Sequence, residues 1–461
     1  MRTWWWLPAF IAAAFALYWP VVQLTPFSDD HSALWNSGVR GIPWRNGIFR
    51  PLSDLTFRIG YLIGGTAVEG HRAFNIVLHA LNAYLLFTLF RQWSKERAWS
   101  TGLLTGVLFL VYPFHQESVI WLVGRESSLG TLAVLLGLVI GGQAWSVWVR
   151  SLSLTVILIL GLLCYESALL LLPLAFIAAR WRITEKWSEL RAGLILPFIV
   201  GMLFIAVRAW KADANGYIIG TLLQHPFLLF ANVPKVLARL FLPPAMDASL
   251  QLLRGALLAA AILIGIVWWL RSKHSKIARQ QIVVWCLSIL VGCSVGYIAG
   301  VSTTTSESDR FLYLPSAFLC GLLGMVLPMI TNRTLRHGTV LFLIVGCVLL
   351  LKQNHANWME ASRITRLCLD EFPAAQEGGA RWVYGLPGDH QGAFIFRNGF
   401  PEAVALTGSS AEGVVVVTPD SATRTSFTYT VVYRGKIHRF GRNDVTLHWS
   451  GSHYTEGVHM P

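Results

Sequence analysis

Charge is what this sequence has least of. Aspartate, glutamate, lysine and arginine make up 13% of its 461 residues while 54% are hydrophobic, and an ordinary soluble domain carries about twice that charged fraction. The shortage excludes a soluble enzyme. Cysteine is sparse as well: Cys164, Cys286, Cys293, Cys320 and Cys347 fall in or at the ends of apolar runs and only Cys368 lies outside them. Neither a disulfide framework nor a paired-cysteine metal motif can be built from that spacing. No period of about 30 to 40 residues recurs, so a repeat solenoid is excluded too.

What the sequence has instead is apolar runs. Stretches of roughly 17 to 25 residues recur over the first 350 positions, each able as a helix to cross about 30 Å of hydrocarbon. The net charge of +13 would suggest nucleic acid in a soluble protein, but here the basic residues cluster between the runs, at Arg91 to Arg97, Arg180 to Arg191, Arg271 to Arg279 and Arg333 to Arg336. Those are cytoplasmic loops by the positive-inside rule, and no nucleic-acid partner is expected. The start, Met1 to Val22, has the make-up of a secretory signal but reads better as an uncleaved first span.

Placing the basic loops inside predicts an all-α polytopic membrane bundle of about eleven spans, at 4–24, 73–91, 100–113, 128–148, 152–164, 167–180, 193–209, 254–270, 281–300, 313–330 and 338–352. The N-terminus is then cytoplasmic and the C-terminus extracytoplasmic. Residues 225–242 are apolar, but a crossing there would put Arg271 to Arg279 on the wrong side, so they read as re-entrant or interfacial. Three regions follow: a membrane domain over 1–352 with a first outer loop at 25–72, a helical linker at 353–379, and a small β-rich extracytoplasmic domain at 380–461. The last shows four or so alternating runs, in GAFIFRNGF, GVVVVT, SFTYTVVYRGKIHRF and DVTLHW, and at about 80 residues it must lean on the membrane portion.

The scarce ionic residues gather on the outer side in this topology. The first loop holds Asp29, Asp30, Arg40, Arg45, Arg50 and Arg58; the second His115, Glu117, Arg125 and Glu126; the third Glu166; the last Glu307, Asp309 and Arg310. Ionisable groups beside hydrocarbon are usually paired and functional, and one shared site explains the clustering better than four unrelated loops. The helix entering the membrane carries His71, Asn75, His79 and Asn82 at spacings of four, four and three, one face descending about 16 Å. Such a stripe either bonds neighbouring helices or lines a headgroup pocket.

Asp29 and Asp30 fit two roles: capping a helix that runs into Ala33 to Trp35 with His31 and Ser32 in its first turn, or serving as a general base for an attacking hydroxyl. Arg50, Arg125 and Arg310 fit phosphate clamps, since guanidinium forks bind phosphate oxygens in pairs; each alone could equally snorkel at the interface. Glu117 and Arg125, eight residues apart through Trp121, would share a helix face and pair. Glu166 is the only charge in more than twenty apolar residues, which points to a functional or pairing role. No third histidine or cysteine at ligand spacing supports zinc. A divalent cation on the Asp29–Asp30 pair is the lesser alternative to no cofactor.

The blocks DDHSALWN, FRPLSDLTFRIGY, FNIVLHALN, LFLVYPFHQESVIWLVGRESSLG and ESDRFLYLPS, in that order over about residues 1 to 370, resemble the motif series of the GT-C membrane glycosyltransferases. Within them the sequence looks most like the transmembrane and tetratricopeptide-repeat O-mannosyltransferases and their bacterial relatives. The resemblance implies an inverting transfer of a sugar from a polyprenyl-phosphate-linked donor to a protein or glycan acceptor, on the extracytoplasmic face of a lipid bilayer such as a bacterial inner membrane. By motif position Asp29 would be the base with Asp30 supporting it; Arg50, His79, Arg125 and Arg310 would surround the donor phosphate; Asn75, His115, Glu117 and Glu166 would support them. Three departures stand out. Tyr112-Pro113 replaces a His-Pro, Tyr165-Glu166 replaces a Lys-Glu, and the strand-rich region stands where the repeats would be. A transporter or flippase of lipid-linked sugars would need ionic groups near mid-membrane, and a non-catalytic assembly protein would rest on the C-terminal region; both remain alternatives.

Overall fold

A computed structural model describes residues 3–44, 49–93, 98–181, 185–210, 226–271, 276–376, 382–409, 414–417, 421–424, 428–433, 436–441, 446–449 and 454–456. Arg45, Lys95, Arg97, Arg182, Lys273 and His225, all within expected loops or segments, lie outside the described residues. The protein is a helical membrane protein. Among the described residues four helices are long and apolar enough to cross a bilayer: Val68–Trp93, Arg279–Ala299, Asp309–Met329 and Arg333–Phe372. Shorter apolar helices occupy Trp6–Val21, Ala98–Val111, Val147–Leu162, Ile195–Arg208 and Ala248–Ala260. The apolar segment expected at 225–242 contains a 13-residue helix, Phe227–Arg239, about 20 Å long and so short of the hydrocarbon thickness.

One expectation changes shape. The span expected at 338–352 and the helical linker expected at 353–379 share a single 44-residue helix, Arg333–Gln376, about 66 Å long. No glycine or proline interrupts LLLKQNHANWMEASRIT, so the shift from apolar to polar composition does not break the helix. Its buried positions Leu351, His355, Trp358, Ser362, Thr365, Cys368 and Phe372 recur every three or four residues as one face.

The chain divides into two compact units. The first comprises 1–22, 45–55 and 71–355, the second 23–44, 56–70 and 356–461. In the first, helix Tyr313–Val326 packs on Ala98–Val111 and on Lys276–Gly292. Close approach is set by glycine, as expected where lipid supplies no hydrophobic drive and packing alone must bind helices. A methyl on Gly321 would lie 1.7 Å from the Phe90 ring, and one on Gly324 2.2 Å from Thr105 Oγ1. Phe90 in turn stacks on Trp285, centroids 4.1 Å apart.

In the second unit the described C-terminal strands form three small sheets. β1 (Trp382–Tyr384) lies between β4 (Val415–Val417) and β8 (Thr446–Trp449), parallel to both, and β9 (Tyr454–Glu456) pairs antiparallel with β8. β2 (Asp389–His390) and β3 (Ala393–Phe394) form a short ribbon. β5 (Ser421–Arg424), β6 (Thr428–Tyr433) and β7 (Lys436–Gly441) form an antiparallel meander. GAFIFRNGF is not one strand: after Phe394 the chain bends and begins helix Phe400–Leu406. The described core of this unit is aromatic. Trp358 meets Phe27 edge to face at 4.9 Å and Phe394 at 6.1 Å, and Phe400 meets Phe372 at 5.2 Å and Phe396 at 4.9 Å.

Candidate active site

In the first unit the ionic residues of three loops meet. The Arg50 guanidinium is held on two sides. Its Nε lies 3.1 Å and its Nη2 2.6 Å from Glu166 Oε2, while Nη1 donates to Glu126. Its flat face lies over the Tyr165 ring, 4.6 Å from the centroid. Arg208, in the last turn of helix Ile195–Trp210, binds the other Glu166 oxygen, and Ser53 Oγ donates to Glu126 at 3.2 Å. Helix Pro51–Gly64 starts one residue after Arg50. Proline at its first position sacrifices no helical hydrogen bond, which fixes where the arginine leaves the backbone.

A second cluster adjoins the first. Glu117, on the short helix Gln116–Val119, accepts from the Arg310 backbone N–H at 2.7 Å and from its guanidinium. Arg310 also lies over Trp121, at 5.3 Å, and Phe311, at 4.7 Å. Arg310, Tyr165, Ser127, Thr131 and Ser167 line one cavity with about 10 Å³ open to a water-sized sphere. Nearby, Arg239 binds Asp309 at 2.5 Å, both fully buried.

The electrostatics follow from burial set against pairing. Burial opposes the charge on Arg50, but Glu126 and Glu166 outweigh it and raise its pKa further above its already basic value. Burial pushes Glu166 up and Arg50 and Arg208 outweigh it, so its pKa is lowered. For Glu117 burial wins over Arg310 and the pKa is raised. Tyr165 is raised by burial against the opposing pull of Arg50 and Arg310.

The polar stripe is buried and spends its hydrogen bonds on protein. Asn75 Nδ2 donates to the carbonyls of Val119 and Trp121, and Asn82 Nδ2 to that of Ser128 at 3.0 Å. His79 Nε2 lies 3.2 Å from the Leu110 carbonyl, which can only accept, so Nε2 carries the proton and Nδ1 accepts from the Tyr313 hydroxyl at 2.8 Å. His115 Nε2 lies 2.8 Å from Ser316 Oγ. These bonds run from the helix to the 110–128 segment, which carries Glu117 and Glu126. Arg125 has the same kind of partner: Nε donates to Leu122 O at 3.0 Å and Nη2 to His71 O at 3.1 Å, under the Phe74 ring. Glu117 and Arg125 do not share a helix face, because the helix stops at Val119 and a new one starts at Arg125. Glu117 pairs with Arg310 instead.

Asp29 and Asp30 belong to the second unit. They form the first turn of a helix, α over Asp29–Ser32 and π over Ala33–Arg40, so they lie inside the turn expected to open with His31 and Ser32, and Ser28 takes the cap position. Asp30 is fully buried and its Oδ2 accepts from Phe27 N–H at 3.1 Å; Asp29 is half-buried. Arg58 closes the far end of this helix by donating to the carbonyls of Gly38 at 2.6 Å and Val39 at 3.2 Å, a cation at a helix C-terminus. Arg40 is exposed and donates to Asn36 Oδ1 at 3.4 Å. Ser28, just before Asp29, has φ 47° and ψ −117°, a conformation costing a non-glycine residue about 1–3 kcal/mol. Among the described residues no group of three histidine, cysteine or acidic side chains is arranged for a metal ion.

Two members of the arginine cluster escaped sequence reading: Arg208, whose only signal is a lone cation at the end of an apolar helix, and Arg239, inside the apolar 225–242 segment.

No protein-family model matches the chain. Over 131 residues, 27% of this chain and 14% of the relative, it is 36% identical to protein O-mannosyl-transferase Tmtc1 of Drosophila melanogaster. Over 125 residues, 24% of this chain and 17% of the relative, it is 36% identical to the human protein O-mannosyl-transferase TMTC4. The matches thus span less than a fifth of these curated relatives. Among solved structures, the oligosaccharyltransferase of Archaeoglobus fulgidus superposes with a TM-score of 0.48 at 11% identity, covering 89% of this chain and 61% of that one. ArnT from Cupriavidus metallidurans, bound to undecaprenyl phosphate, gives 0.46 at 16% identity, over 81% and 72%. The resemblance carried by the motif blocks is borne out by the curated relatives, which are protein O-mannosyltransferases.

Proposed function

We propose, from this kinship and the arginine-rich cluster, that the protein is an inverting membrane glycosyltransferase using a polyprenyl-phosphate-linked sugar, with an acceptor hydroxyl on the extracytoplasmic side. The observation that carries the reading is the convergence of Arg50 and Arg310 on Tyr165: one guanidinium stacks on its ring, and the other lines the same cavity as the ring. Cations gathered about an aromatic wall suit an anionic leaving group.

The chemistry is a single displacement. Asp29 removes the proton from the acceptor hydroxyl as its oxygen bonds to the anomeric carbon, and the bond from that carbon to the phosphate oxygen breaks with its electron pair going to the phosphate. The polyprenyl phosphate gains one negative charge, so it needs cations and no proton. Arg50 and Arg310 supply them, with Glu166 and Glu117 releasing part of their hold. Asp30 stays buried and fixes the turn through the Phe27 N–H. Arg125, His79, Asn75 and His115 act by shaping the 110–128 segment.

The test is transfer from undecaprenyl phosphate mannose by purified full-length protein in nanodiscs, with lipid-linked sugars sought by mass spectrometry in the preparation. Asp29→Asn is expected to abolish transfer while insertion and melting are kept. Near-normal transfer by that variant would remove Asp29 as base.

A further inference from the structure

The carboxylate proposed as base follows a residue that does not hold its conformation by itself. Ser28 is one of three non-glycine residues with positive φ among those described. It is buried, and its groups are engaged by one short C-terminal stretch. Its N–H donates to Ile395 O at 2.8 Å. Its Oγ accepts from the Asn398 N–H at 3.1 Å. Its carbonyl, which accepts from His31 N–H at 3.1 Å, faces Gly399 so closely that a methyl there would sit 2.4 Å from it. Gly399 itself has φ 82°, so a side chain is excluded twice over, by conformation and by space.

The stretch that makes these contacts is itself anchored. Ile395 N–H donates to Gly388 O at 2.9 Å and Phe396 N–H to Pro387 O at 3.0 Å. The Phe396 ring stacks on His31, centroids 5.8 Å apart and planes 23° apart, and Gly399 begins helix Phe400–Leu406. Strained non-glycine residues persist only where their surroundings over-determine them, and they collect at functional sites. Here the surroundings come from residues beyond the motif blocks, the last of which ends at Ser316.

We infer that Ile395–Gly399 is a positioning element for the transfer reaction: it locks Ser28 and so sets the first helical turn from which Asp29 projects. The inference rests on Asp29 being the base. It gives the C-terminal region a direct part in turnover, in addition to any contact it makes with acceptor.

The experiment compares Gly399→Ala, Ser28→Ala and Asp29→Asn in the full-length protein, with undecaprenyl phosphate mannose as donor. Gly399→Ala displaces the lock and is expected to lower kcat on the order of 10²-fold, the loss typical of a misplaced reacting group, with the donor KM held within about twofold. Ser28→Ala removes only the Oγ acceptor and is expected to lower kcat about tenfold, a loss of about 1.4 kcal/mol; it decides the matter should Gly399→Ala not fold. Hydrogen exchange in 27–36 should rise in both, which a purely catalytic defect would not cause. Normal kcat in Ser28→Ala and Gly399→Ala beside an inactive Asp29→Asn overturns the positioning role and leaves the base in place. An active Asp29→Asn removes the base, and the positioning role with it.

Discussion

Arg50→Ala should be among the most informative single changes in the protein. It leaves two carboxylates facing a vacated guanidinium: Glu126, 5% exposed, and Glu166, 28% exposed. Removing one partner from a buried ion pair typically costs about 3–5 kcal/mol. Two features pull the figure down here, since Glu166 keeps Arg208 and Glu126 keeps the Ser53 hydroxyl. The more exposed Glu166 is also partly screened by water. The expected loss is therefore about 2–3 kcal/mol, of which the Glu126 contact should supply the larger share. For a chain of this size that is about 4–6 °C in melting midpoint, at roughly 2 °C per kcal/mol. Arg50→Lys keeps the charge but cannot fork across two carboxylates, and should lose about half as much. A double-mutant cycle with Glu126→Gln in detergent-solubilised protein, read by thermal unfolding, should return a coupling of about 1–3 kcal/mol. Additivity within about 0.5 kcal/mol would mean that Arg50 does not bind Glu126, and the proposed cluster would lose its centre.

The remaining predictions concern pH. His31 is buried and burial pulls its pKa from 6.5 to about 3, so below pH 6.5 the unfolded chain takes a proton that the folded one refuses. Stability should be lost progressively between pH 6.5 and 3, by about 2 kcal/mol at pH 5, and His31→Phe should abolish that loss as read by hydrogen exchange over 27–40. Glu166 and Glu117 should slope in opposite directions. The lowered Glu166 contributes stability at neutral pH that vanishes only as pH falls below its ordinary 4.5, whereas the raised Glu117 costs stability as pH climbs above it. Melting between pH 4 and 7 should show Glu166→Gln losing ground to the parent as pH rises and Glu117→Gln gaining it; parallel curves would contradict the assignment.

The membrane class, and the gathering of Arg50, Glu117, Glu126, Glu166 and Arg310, were legible because ionic side chains are so scarce that each must have a partner. Which partner was not legible. Glu117 and Arg125 match in spacing, but the backbone breaks at Ile120 to Gly124 and gives Glu117 to a residue 193 positions away. The His71–Asn82 stripe was visible as a periodicity of four, yet periodicity says only that polar groups share a face, not whether a carbonyl or a ligand meets them. Likewise hydropathy changes along the 333–376 helix while helix propensity does not, so composition divides what the backbone joins. Ser28 carried no signal at all, since a positive φ at serine is imposed by Ile395, Asn398 and Gly399 from the far end of the chain.

The resting cluster sets three guanidinium groups, Arg50, Arg208 and Arg310, against three carboxylates, Glu126, Glu166 and Glu117. A site that arrives with its own counter-ions offers little to a stray anion. Inorganic phosphate, with only its charge to contribute, would have to dislodge a tethered carboxylate at every step. A lipid-borne phosphate brings the grip of its long hydrocarbon tail as well, so discrimination between the two is built into occupancy rather than shape, and added salt should tighten that preference.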